Sequence, residues 1–152
     1  MATIDADSAP KLDASALNAL LHRLFPGSDP RRMVRAVEVE AERVLVIQAL
    51  RDDMLRPGPL VSGPSLMNVA DVAAYALILA RLGEVPMAVT SSLTIHFLRG
   101  AAPADVRGEA RFLRLGRRSA VIEVCLWTQS RDRLAAQATV TYALPVAPQT
   151  AI

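Results

Sequence analysis

From Leu66 to Ala80 the chain runs through an apolar stretch with a single ionised side chain, Asp71. Taking a carboxylate out of water costs several kcal/mol unless a partner compensates. Asp71 therefore needs either a partner or a task. A carboxylate in a dry cleft gains basicity as it loses hydration, which is the property a general base requires. The other reactive residue types are scattered. His22 and His96 do not make a metal site, and Cys125, the one cysteine, has no internal disulfide partner and no base beside it in sequence. His22 reads as helix surface and His96 as a structural strand residue. Cys125 and Trp127 share one strand face, as core or interface residues.

The elements that must position Asp71 follow from periodicity. Residues 1–13 read as a flexible tail. A helix is expected over 14–27, with Leu17, Leu20, Leu21, Leu24 and Phe25 on one stripe and Pro26-Gly27 as its stop. Val37, Val39 and Ala41 then alternate with Glu38, Glu40 and Glu42, which predicts a half-exposed strand. A second strand over roughly 43–50 follows a tight turn. After the Pro/Gly loop "RPGPLVSGP", Ser62 is a candidate cap, with Pro64 in the first turn and Gly83 as the stop. This gives a helix over about 64–82, of roughly 18 residues and 27 Å. It is apolar nearly all round, so it must be enclosed. Four later segments supply the enclosing sheet. In "AVTSSLTIHFLR", Leu93, Ile95 and Phe97 alternate with Ser92, Thr94 and His96. "ADVRGEARFLRLG", "RSAVIEVCLWTQS" and "RLAAQATVTYALP" follow through short connections, as an antiparallel meander. The fold class is α+β, a curved antiparallel sheet around a long central helix, with an extra N-terminal helix.

Composition bounds the rest. A chain of 152 residues, 52% hydrophobic and 21% charged, is expected to form one globular domain over 32–145, with 146–152 as a C-terminal tail. The net charge of +2, without a dense basic tract or RNA-binding aromatic signature, argues against nucleic-acid binding. The acidic N-terminus is no signal peptide. A membrane span over 66–80 fails on length and on the central Asp71. A cytoplasmic protein is expected.

The order of elements, with "SGPSLMNVAD" at its centre, resembles the PaaI-like acyl-CoA thioesterases of the hotdog fold. In that family a His-Gly-Gly triplet precedes the central helix and an Asp or Glu lies nine residues after the His. Here the triplet reads Ser62, Gly63 and Pro64, and Asp71 stands nine residues after Ser62. "TSSLTIHFLRGAAPADVRGEARFLRLGRRSAVIEVCL" and "RLAAQATVTYAL" resemble the family's later strands, and the likeness covers about 32–145. The resemblance implies that Asp71 serves as nucleophile or general base against a thioester carbonyl. It also implies that the oxyanion is met at the helix N-terminus, where free N–H groups and the dipole favour negative charge. Pro64 has no N–H, which leaves the Gly63 amide as donor. Thr90 matches a hydroxyl that orients water in some relatives, in sites that lie between subunits. Ser62 replaces the family's His, and Arg56 replaces a frequent amide residue and is a candidate partner for Asp71. For the CoA end the candidates are Arg114, Arg117 and Arg118, since phosphates want Arg forks or exposed N–H groups.

The expected activity is hydrolysis of an acyl-CoA to free acid and CoA, with no cofactor beyond the CoA of the substrate. Met67, Tyr75, Leu77 and Leu79 are candidate lining for the acyl cleft. The alternative is a non-catalytic acyl-CoA or small-ligand binding protein. A hotdog hydratase or dehydratase is disfavoured, because those relatives use a histidine with the acid and neither His22 nor His96 lies in the loop before the helix. Exposed sheet edges call for a dimer, and the family adds the expectation of a homotetramer.

Overall fold

The computed structural model describes residues 8–146. Helix α1 spans Ala14–Leu24, and the Asp13 carboxylate caps it by accepting the Ala16 N–H at 2.8 Å. Leu17, Leu20 and Leu21 bury the expected stripe, while Phe25 at its end stays exposed. Strands β1 (Arg35–Val39) and β2 (Arg43–Gln48) follow, and a two-rung hairpin, β3 (Leu55–Arg56) with β4 (Leu60–Val61), occupies the Pro/Gly loop. Helix α2 covers Gly63–Leu82. Strands β5 (Val89–Phe97), β6 (Val106–Leu115), β7 (Ser119–Trp127) and β8 (Ala136–Ala143) complete the chain.

All pairings in the six-stranded sheet are antiparallel, in the order β1-β2-β6-β7-β8-β5. The expected β6–β7–β8 meander is present, and β5 lies beyond β8 at the sheet edge. Helix α2 packs against all six strands. Small inward residues let it approach closely. A Cβ added to Gly108 would stand 3.2 Å from Val69, 3.3 Å from Val46 and 3.4 Å from Leu126.

Local chemistry sets the ends of α2. Ser62, in extended conformation, accepts the Ser65 N–H, its hydroxyl lies 2.8 Å from that of Ser65, and Pro64 sits in the first turn. Gly83 ends the helix at φ +85°, a left-handed position that suits glycine, and its N–H reaches the Leu79 carbonyl. Enclosure is complete only in the C-terminal half. Residues 73–81 are all buried, whereas Pro64, Met67 and Asn68 are exposed and Asp71 and Val72 are half-buried.

Three expectations need correction. The inward face of β1 is Ala36 and Val39, because a bulge at Val37 lies between the pairs Ala36↔Val46 and Glu38↔Leu45. Ala41 lies in the turn. Residues 1–7 lie outside the described residues, but 8–13, expected as tail, dock on the end of α2. The Lys11 and Leu12 N–H groups both reach the Ala80 carbonyl, and Arg81 donates to the Ser8 carbonyl. Residues 147–152 also lie outside the described residues. Finally, α2 at 20 residues is long enough to cross a membrane. Its place as a core helix rests on the sheet around it, not on length.

The sheet face away from α2 carries a charged network. Glu109, 5% exposed, accepts from Arg43 Nε at 2.8 Å, Arg111 Nε at 3.3 Å and Arg131 Nη2 at 2.5 Å. Arg131 also covers Trp127, 5.9 Å from the ring centroid. The Arg131 bond, joined by Arg43 and Arg111, outweighs burial and holds the Glu109 carboxyl at about 2.

Both the cap and the network can be tested by substitution. Ser62→Ala is expected to cost about 1 kcal/mol through the lost cap, read as a lower urea midpoint at unchanged slope. A lowered carboxyl pKa stabilises the fold at pH values above the ordinary 4.5, and that stabilisation fades as pH falls toward 2. Glu109→Gln is therefore expected to lower the melting temperature at pH 7, with the gap to wild type closing across that acid window. A gap independent of pH would contradict it.

Candidate active site

Asp71 lies where the enclosure of α2 begins, on its partly open side. Thr90 Oγ1 donates to Asp71 Oδ1 at 2.7 Å, and the Tyr142 hydroxyl donates to the same oxygen at 2.8 Å. The Tyr142 hydroxyl is also 3.2 Å from the Asp71 carbonyl. Thr90 and Tyr142 are cross-strand partners on β5 and β8. Strict alternation from Leu93 would turn Thr90 away from the helix. A bulge at Ser91, between Thr90↔Tyr142 and Ser92↔Thr141, restores it to the inward face. The sheet thus aims two hydroxyls at one carboxylate.

An aromatic stack holds this corner. The Tyr75 ring, one turn after Asp71, stacks on Tyr142 at 5.9 Å and 13°, and Phe25 meets Tyr75 edge-on at 6.2 Å. The Tyr75 hydroxyl donates to the Pro86 carbonyl at 3.1 Å. Burial pushes both tyrosine hydroxyls up, and at Tyr142 the Asp71 charge adds to it against the opposing Thr90 hydrogen bond. Tyr142 remains a protonated donor at neutral pH.

The N-terminus of α2 forms the second part of the site. The Gly63 N–H has no partner among the described residues, and a Cβ at Gly63 would lie 3.3 Å from the Phe97 ring. Gly63 lines a cavity of about 490 Å³ with Leu60, Leu66, Phe97, Leu98, Arg56 and Arg99 among its walls. Eight residues separate Gly63 from Asp71, or ~12 Å along the axis. First-turn N–H groups point out of the helix end, away from Asp71. Within one chain the two groups do not meet at a single carbonyl.

The remaining candidates sort by position. Arg56 lines the cavity, but its Nε donates to the Pro57 carbonyl at 3.1 Å, and Asp71 takes hydroxyl donors in place of the expected arginine. Ser62 spends its hydroxyl on the helix cap. Met67 is 40% exposed on the open face of α2, and Tyr75 serves the aromatic stack. Leu77 and Leu79 are fully buried in the core and line no cleft, because the helix is sheathed on every side there. Arg114, Arg117 and Arg118 are exposed at the β6–β7 turn, with Arg114 Nη1 3.4 Å from Ser119 Oγ. That turn is at the Asp71 end of the sheet, since Ala120, just past it, pairs with Tyr142. His22 and His96 are exposed. Cys125 is half-buried, and burial, reinforced by Glu123, pushes its thiol up and away from reactivity.

Tyr142 is the residue that sequence reasoning missed. Its signal was available. On β8 the inward positions are Ala136, Ala138, Val140 and Tyr142, and a buried tyrosine hydroxyl normally finds a polar partner.

Comparison with known proteins places these features. A model of the thioesterase superfamily matches residues 58–143. A proposed esterase from Thermoplasma volcanium is 26% identical over 132 residues, which is 80% of this chain and 98% of the relative. A proposed thioesterase from Silicibacter sp. TM1040 is 34% identical with a TM-score of 0.80, over 90% of this chain and 94% of that one. A proposed thioesterase from Ralstonia eutropha JMP134, related to phenylacetic acid degradation proteins, is 30% identical with a TM-score of 0.65, over 74% of this chain and 83% of that one. The phenylacetic acid degradation protein PaaI of Thermus thermophilus, at 23% identity and a TM-score of 0.64 over 75% of this chain and 95% of that one, shares the fold. With its helix sheathed in an antiparallel sheet and its match over 58–143, the chain belongs to the thioesterase superfamily, as a PaaI-like hotdog protein whose general chemistry is thioester hydrolysis.

Proposed function

We propose that the protein hydrolyses acyl-CoA thioesters to a free acid and CoA, at sites formed between two copies of the chain. The observation that carries this reading is the Asp71 carboxylate, set at the edge of an enclosed helix and held by Thr90 and Tyr142. As general base, Asp71 takes a proton from water while the water oxygen bonds to the carbonyl carbon. The tetrahedral oxyanion is met by the Gly63 N–H of the other copy. Collapse breaks the C–S bond, and the proton passes from Asp71 to the departing sulfur. As nucleophile, Asp71 would bond to the carbonyl carbon itself, expel the thiolate and leave a mixed anhydride for water to open. Either route needs only water and the thioester.

The reading of two copies is supported by the ~12 Å between Gly63 and Asp71 along one helix, and by the β5 edge. Strand β5 has no Asp, Glu, Lys, Arg or Pro over Val89–Phe97, and it exposes Val89 and Phe97. It lacks the charges that blunt free edges, so it suits continuation into a second sheet. Strand β1, at the other edge, carries the charged Arg35 and Glu38. A dimer through β5 and its pairing into a tetramer belong to this proposal. Arg114, Arg117 and Arg118, at the Asp71 end of the sheet, are the proposed contacts for CoA phosphates.

The test is thiol release from a panel of aryl and aliphatic acyl-CoA thioesters, wild type beside Asp71→Ala. Turnover that falls roughly 100-fold or more in the variant, with melting retained, is expected. Thermal stabilisation by acyl-CoA without thiol release from any member would identify a binding protein instead.

A further inference from the structure

The two carboxylate oxygens of Asp71 have different surroundings. Oδ1 accepts two short hydrogen bonds, from Thr90 at 2.7 Å and Tyr142 at 2.8 Å. Oδ2 has no partner among the described residues. No buried side-chain nitrogen or oxygen among them is left without one, so Oδ2 of the half-buried Asp71 is not sealed from solvent. We propose that Tyr142 is a positioning residue for the hydrolysis. Together with Thr90 it clamps Oδ1, which fixes the carboxylate and leaves Oδ2 as the one oxygen that meets water or the thioester carbonyl. This inference rests on the hydrolytic reading above.

The geometry suits a clamp. An ionised carboxylate only accepts hydrogen bonds, so both hydroxyls must donate to it. The terminal torsion of an aspartate is soft and roughly two-fold, so an unrestrained carboxylate exchanges its oxygens freely. Two donors converging on one oxygen from two paired strands remove that freedom. Orientation of a reacting group before substrate arrives is worth a large part of a barrier. Tyr142 is itself held. It is 3% exposed, β8 is paired on both sides, and its ring is stacked on Tyr75, which Pro86 and Phe25 fix in turn. The hydroxyl therefore has little room to leave Oδ1. Thr90 alone, on the edge strand, would hold the carboxylate from one side only.

The test compares steady-state kinetics of wild type, Tyr142→Phe, Asp71→Asn and the double variant on a thioester that wild type hydrolyses. Tyr142→Phe keeps the stacked ring, and its melting temperature is measured beside the kinetics. The expected result is kcat lower by about 10- to 100-fold, with KM within about 3-fold of wild type. Adding Tyr142→Phe to Asp71→Asn is expected to change nothing further, because the clamp acts only through the carboxylate. Three outcomes would overturn the proposal: an unchanged kcat, a raised KM at unchanged kcat, or the same fractional loss in the Asp71→Asn background. If Tyr142→Phe does not fold, Thr90→Val tests the clamp in the same four-way design, and full additivity with Asp71→Asn would overturn it. Wild type without turnover on any thioester would overturn the hydrolytic reading and the clamp with it, whereas active wild type with unaffected Tyr142→Phe removes the clamp alone.

Discussion

The sheathing of α2 by the sheet is the constraint on which the rest of the molecule depends. Twenty residues with almost no polar face are stable in water only if something covers them, and six antiparallel strands, together with α1 and the segment at 8–13, do so from residue 73 onward. The close approach is steric in origin, as the small inward residues around Gly108 show. Where the cover stops, the helix turns an open side outward, and Asp71 sits at that boundary. One turn later a carboxylate would be sealed in the core. One turn earlier it would be an ordinary solvated acid. At the boundary it meets strand hydroxyls on one side and solvent on the other, the condition a reacting carboxylate needs.

The same helix explains why the candidate site is divided. A free N–H at the helix end and a carboxylate two turns further on are fixed by the helical rise at ~12 Å and point apart. On the proposed reading each chain carries two half-sites, which a second copy placed against the open side of α2 and the β5 edge would complete. The aromatic stack of Phe25, Tyr75 and Tyr142 ties the added helix α1 to the Asp71 corner, so the N-terminal extension supports the half-site as well as the core.

Much of this was legible in the sequence, for physical reasons. Asp71 stood out because an ionised group in an apolar run must be explained. Ser62, Pro64 and Gly83 marked the ends of α2 through capping chemistry, and short turns gave the β6–β7–β8 meander. What the sequence does not reveal depends on contacts and register that no local pattern encodes. Bulges at Val37 and Ser91 shift the two-residue period by one, and nothing in composition announces them. The Ser91 bulge is what brings Thr90 onto Asp71. Tyr142 lay in a strand that was read correctly, but its role depends on a contact between positions 71 residues apart. Leu77 and Leu79 read as cleft lining because periodicity cannot tell an open helix face from a closed one. Charge alone makes Arg56 a partner for Asp71, while the local hairpin turns it toward Pro57.

Complementation between two inactive variants tests the divided site most directly. Gly63→Pro removes the helix-end N–H, and the extended Ser62 before it suits a following proline. Asp71→Asn removes the acid. Each variant alone is expected to keep no more than about 1% of wild-type turnover. Co-refolded in equal amounts, they form hybrid dimers as half of the population, each with one intact site of two, so about a quarter of wild-type turnover should return. A mixture no more active than its components, with both variants folded and dimeric, would contradict a site shared between chains.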